Sequence, residues 1–68
     1  MTDISSKVRE NIKRVRSKIG ISQGKLARKL NVHPSYVSQI ERGIRNPTLA
    51  NIEKIAGALG VSIRELIK

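Results

Sequence analysis

Apolar side chains return along this chain at intervals of three and four residues, and almost nowhere at intervals of two. That spacing gathers them on single faces of α-helices, whereas strict alternation, the mark of a half-buried strand, is missing. Val8, Ile12, Val15 and Ile19 define a first helix over about residues 6–18, with Ser5 or Ser6 as its cap and Gly20 as its left-handed stop. Leu26, Ala27 and Leu30 form the stripe of a second helix over 23–30, capped by Ser22. Gly24 in its first turn costs ~0.5–1 kcal/mol relative to alanine, a cost that makes sense if the backbone there must approach something closely. Asn31, Val32 and His33 form a short break, and asparagine tolerates the positive φ of a tight turn. Pro34 opens a third helix, 34–42, because the N–H it lacks would have no helical partner there. Val37 and Ile40 face inward and Gly43 follows the last turn. Residues 44–47 form a loop with Asn46-Pro47 as its turn signal. Thr48 caps a fourth helix carrying Leu49, Ile52, Ile55, Ala56 and Leu59, and Gly60 ends it. Ser62 caps a short fifth helix with Ile63, Leu66 and Ile67. The expected fold is all-α: five helices on one shared core, in a single domain spanning 1–68.

Composition narrows the function. Sixty-eight residues bury only a thin core. The chain has no cysteine, which excludes disulfides, thiolate metal sites and thiol nucleophiles. No apolar run approaches the roughly 18 residues of a membrane span, and the N-terminal residues lack the unbroken apolar stretch of a secretory signal. A soluble cytoplasmic protein is expected. His33 is the only histidine and has no evident second ligand or acid–base partner, so no metal, cofactor or enzymatic chemistry is expected.

Charge supplies the partner class. Fourteen Lys and Arg against five Asp and Glu give a net charge of +9. Such an excess calls for an anionic partner, usually nucleic acid and sometimes a membrane surface. The distribution is uneven: residues 5–45 hold eleven basic and two acidic side chains, residues 46–68 three and two. The first two-thirds carries the field, and the last third is built for packing or pairing.

The stretch Ser22–Arg42, SQGKLARKLNVHPSYVSQIER, resembles the helix-turn-helix of the lambdoid repressor/Cro-type (XRE) family. Gln23 stands at the start of the first motif helix, Leu26 and Leu30 at its core positions, and Ala27 at the small position under the second helix. Asn31 replaces the usual turn glycine, and Val37 and Ile40 pack the second helix down. The tail SQIERG, NPT and IAGALGVSIREL extends the likeness over about residues 8–67. The residues alone point the same way. A small side chain at Ala27 lets two short helices cross closely, and a three-residue turn fixes a steep angle. The protruding helix then fits a major groove about 12 Å wide.

The resemblance implies that residues 23–42 bind double-stranded DNA and that bases are met at Pro34, Ser35 and Gln39. Gln39 suits paired hydrogen bonds to an adenine edge; its plain alternative is a solvated helix glutamine. Ser35 serves several bases, or caps the backbone. Pro34 offers only apolar contact, or merely starts the helix. His33 is either the cap of the reading helix or a phosphate or base contact, and Tyr36 either half-buried packing or a contact to DNA. The family places a phosphate at the position of Gln23, and Gly24 shares that helix start, where free N–H groups attract anions. Arg42, Arg45 and Asn46 are candidates for a second phosphate clamp; Arg45 has the alternative of a narrow minor groove. Lys25 and Arg28 are secondary backbone contacts, each with a solvated charge as its plain alternative. The resemblance further implies an internal ion pair between Arg16 and Glu41, against the rival reading of Arg16 as another DNA cation.

The expected function is a sequence-specific transcription regulator, most simply a repressor bound as a homodimer to a palindromic operator. Leu59, Val61, Ile63 and Ile67 are its candidate dimer surface, unless they only close the monomer core. Two alternatives stay open within the family: an antitoxin that also binds a toxin protein, and a restriction-system controller. Charge-driven, non-specific association is a third.

Overall fold

A computed structural model of the chain describes residues 4–68. It contains five helices: α1 (Ile4–Ile19), α2 (Gln23–Leu30), α3 (Pro34–Glu41), α4 (Leu49–Leu59) and α5 (Arg64–Ile67). Helices α2 and α3 pack on one another most extensively, α4 lies under α2, and α1 runs along α5 with α3 and α4 beside it. One cluster of buried side chains joins all five, with Ile12, Leu26, Ile40, Ile55 and Leu66 at its centre. Each fully buried side chain of this size contributes about 1.5–3 kcal/mol relative to exposure, so α3 is held chiefly by Val37 and Ile40 on its inner face.

The helix ends follow from local chemistry. Ser22 and Thr48 have extended backbones, and their hydroxyls accept from the N–H groups of Lys25 (3.0 Å) and Asn51 (3.1 Å). Asn31 adopts φ 59°, and the Val32 N–H reaches back to the Ala27 carbonyl at 3.0 Å, which closes α2 in a left-handed cap. Ala27 itself is wholly buried where α2 meets α3.

Several expectations need correction. Helix α1 already runs at Ile4, so Ser5 and Ser6 lie inside it rather than capping it; the Ser6 hydroxyl accepts from Arg9 Nη2 at 2.9 Å. Ile19 is 47% exposed and Leu49 64% exposed, although both continue apolar stripes. Periodicity assigns a face, not the length of the partner beneath it; Ile21, beyond the Gly20 reversal, packs on the core. Ser62 does not cap the last helix with its side chain. That helix begins at Arg64, and only the Ser62 carbonyl takes part, accepting from the Glu65 N–H at 3.0 Å. Its far end is held by Asn11 of α1, whose Nδ2 donates to the carbonyls of Leu66 and Lys68, both at 3.0 Å. Leu59 is buried in the core, which removes it from the candidate dimer surface; Val61 and Ile63 are half-buried against that core, and Ile67 is exposed. Among the described residues no helix is long and apolar enough to cross a membrane, and no group of metal-ligating side chains comes together.

Candidate nucleic-acid interface

Three helices meet at one carboxylate. Arg16 of α1 donates through Nε to Glu41 Oε2 at 2.7 Å and through Nη2 to Oε1 at 3.0 Å. Its Nη1 donates to the Ile21 carbonyl at 2.8 Å. Gln23 of α2 donates from Nε2 to Glu41 Oε1 at 3.0 Å. The Glu41 side chain is only 3% exposed and that of Arg16 13%. The hydrogen bond to Glu41 raises the Arg16 guanidinium above its ordinary pKa; burial opposes the shift and the attraction of the carboxylate adds to it. A group raised in this way contributes its stability below its ordinary value for as long as the Glu41 carboxylate is charged, and loses it as pH rises into strong alkali. Every nitrogen of Arg16 is engaged inside the fold, so its charge is not among those facing solvent.

Gln23 therefore has an internal role that reading it as a phosphate ligand missed. Its amide nitrogen ties the start of α2 to the end of α3. The motif signal at Gln23 was visible in the sequence, but its pairing across 18 residues with Glu41 was not. At the same helix start the Ser22 hydroxyl takes the Lys25 N–H, and the Ser22 carbonyl takes that of Leu26 at 3.1 Å. The N–H groups of Gln23 and Gly24 have no partner among the described residues and stand at the positive end of the helix dipole. A Cβ on Gly24 would meet only Ser22 Oγ, at 3.9 Å, so nothing among the described residues demands glycine there.

Helix α3 opens with its own histidine cap. His33 Nδ1 accepts from the Ser35 N–H at 3.1 Å and lies 2.9 Å from Ser35 Oγ. With Nδ1 acting as acceptor, the ring proton of the neutral imidazole sits on Nε2. Pro34 and Ser35 are exposed, while Tyr36 and Gln39 are half-buried on the flank of the helix. Arg42 is exposed at the C-cap of α3, its N–H bonded to the Ser38 carbonyl at 3.0 Å.

The chain then turns back onto α3. Gly43 takes φ +80°, a conformation costly for any residue with a Cβ, and Arg9 of α1 lies directly against it. The N–H groups of Ile44 (2.9 Å) and Arg45 (3.2 Å) both donate to the Gln39 main-chain carbonyl. This brings the Arg45 side chain onto α3: its Nε donates to Gln39 Oε1 at 3.1 Å, and its guanidinium carbon lies 5.4 Å from the centre of the Tyr36 ring. Such a cation–π contact at an exposed site contributes about 0.5–1 kcal/mol. Tyr36, Gln39 and Arg45 thus form one unit. Lys25, Arg28 and Asn46 are exposed, and among the described residues no hydrogen bond engages their side chains.

A short helix pinned from behind, with polar side chains outward and free N–H groups and cations on its flanks, matches the chemistry of duplex recognition. The Helix-turn-helix family model matches residues 12–66. The chain belongs to this family. It is a Cro/C1-type (XRE) member, and such proteins are DNA-binding regulators of transcription. The control protein C.BamHI of Bacillus amyloliquefaciens is 48% identical over 59 residues, which are 85% of this chain and 73% of that protein. Two crystal structures share the fold of this helix-turn-helix protein. The hypothetical transcription factor NHTF from Neisseria superposes with a TM-score of 0.91 at 39% identity, covering 97% of this chain and 76% of that one. The restriction-modification controller protein C.AhdI from Aeromonas hydrophila superposes with a TM-score of 0.85 at 40% identity, covering 91% of this chain and 94% of that one.

Proposed function

We propose that this helix-turn-helix protein works in the cytoplasm as a sequence-specific regulator that occupies a two-fold symmetric operator as a homodimer, repressing by occlusion. The observation that carries the reading is the outward face of α3. Pro34, Ser35 and Gln39 line it, while Val37 and Ile40 anchor its inner face and Glu41 ties it to α1 and α2. In this reading α3 lies in the major groove, and the α2 start and residues 42–46 clamp the flanking phosphates. Binding at equilibrium, with no bond made or broken, is the whole of the activity. One such module meets few bases, so two copies on half-sites about 34 Å apart supply the specificity. The exposed Ile67, with the half-buried Val61 and Ile63 beside it, is the candidate pairing surface.

A second reading, a controller of a restriction-modification system, is favoured by the likeness to C.BamHI, 48% identical over 59 residues, and to C.AhdI, 40% identical with the same fold.

Gln39→Ala is expected to lower discrimination at one base pair of each half-site by about 1–3 kcal/mol. Arg42→Ala is expected to weaken all duplexes alike. Anisotropy titrations on a preferred duplex and its single-base variants distinguish the two. A Gln39→Ala protein that keeps the full wild-type preference would remove α3 from the bases.

A further inference from the structure

Arginine carries donors and no acceptor. The atom of the Gln39 amide that faces Arg45 Nε at 3.1 Å is therefore its carbonyl oxygen, and this fixes which way the amide points. The arrangement is built rather than incidental. Two backbone N–H groups of the loop are bonded to Gln39 itself, the left-handed Gly43 sets the reversal, and the Tyr36 ring supports the guanidinium. What remains to face a base is chiefly donors, the two hydrogens on Gln39 Nε2 and those on the Arg45 Nη atoms, beside one lone pair left on Gln39 Oε1.

This set does not suit adenine. A glutamine bound to an adenine edge donates to N7 and accepts from the N6 amino group, and acceptance needs a free carbonyl oxygen. Here one of the two lone pairs of that oxygen is taken by Arg45 Nε, and the amide is turned toward the guanidinium rather than free to align with a base edge. Guanine presents two acceptors, N7 and O6, and thymine a single acceptor, O4. Two acceptors match two donor groups.

We propose that Arg45 sets base specificity through Gln39: by holding the Gln39 carbonyl it makes the pair a donor-dominated reader that selects guanine over adenine. Arg45 acts as a positioning residue for Gln39 as well as a donor. The inference rests on the reading above, that Gln39 faces the bases.

The test compares wild type, Arg45→Ala and Gln39→Ala on one preferred duplex and on the duplexes that differ from it at each single base pair, with Kd ratios as the readout. Arg45 is exposed, so its replacement leaves the core intact, and thermal melting of each variant checks this. The wild type is expected to prefer guanine over adenine by about 5- to 150-fold at the pair where Gln39→Ala loses discrimination. Arg45→Ala frees the carbonyl, so the preference at that same pair is expected to move to adenine, beyond a uniform loss of affinity. A wild type that prefers adenine there overturns the inference. So does an Arg45→Ala protein that is weaker on every duplex by one common factor. If Gln39→Ala changes no base preference at all, the reading of Gln39 as a base contact fails first, and the inference with it.

Discussion

Glu41→Ala is expected to cost about 3–5 kcal/mol, because it strips a largely enclosed cation of the one charge partner it has among the described residues. Three donors converge on this carboxylate, two from Arg16 and one from Gln23, and the Arg16 and Glu41 side chains are only 13% and 3% exposed. A chain of this length holds in all roughly 3–10 kcal/mol, so the variant loses much or all of its folded population. In a domain of this size each kcal/mol moves the midpoint by about 4–8 °C, and a fall of well over 10 °C is expected in a circular dichroism melt. Glu53→Ala, on the exposed face of α4, is the control and should melt within a few degrees of wild type. The double variant Arg16→Met/Glu41→Leu removes both charges and is expected to recover most of the loss, since an apolar pair avoids the desolvation that the ion pair suffers. If Glu41→Ala melts with wild type, this carboxylate does not hold the three helices together.

Binding is expected to fall steeply with salt. Lys25, Arg28, Lys29, Arg42 and Arg45 are exposed cations that flank α3 in sequence, and Arg16 is excluded by its internal pairing. Three or four phosphate contacts from each of two copies predict a slope of log K against log salt of about −5 to −7. Raising salt fourfold, from about 50 to about 200 mM, should then weaken binding by about 10³- to 10⁴-fold. Arg28→Ala should flatten the slope by about two units in a dimer, one for each copy. A slope near zero in the wild type would take these side chains off the phosphate backbone.

The sequence carried the fold further than the site. Helical spacing at Val8, Ile12 and Val15, or at Ile52, Ile55, Ala56 and Leu59, marks residues that are buried in the structure. Ser22, Asn31 and Thr48 terminate helices because their own side chains or φ preferences do the work locally. What stayed hidden depends on neighbours distant in sequence. Val61 and Ile63 read equally well as core or surface residues until the buried cluster they pack against is assembled. Asn11 shows no sign in the sequence that it will hold the carbonyls of Leu66 and Lys68. At the interface, individual residue types were legible but their pairings were not. Gln39 looked free to meet adenine, and only the turn at Gly43 shows that Arg45 folds back onto it. Gln23 looked like a phosphate ligand, and only the crossing of α2 and α3 brings it to Glu41.

The central claim is that α3 reads a particular DNA sequence in the major groove, twice, on a symmetric site. Selection of bound duplexes from a random pool by the full chain, followed by sequencing, addresses it most directly. The expected result is enrichment of one motif with two inverted half-sites whose centres lie about one helical turn, roughly 34 Å, apart. A pool that remains unenriched, with every duplex bound alike, would contradict it and leave only the attraction of a chain with net charge +9 for a polyanion.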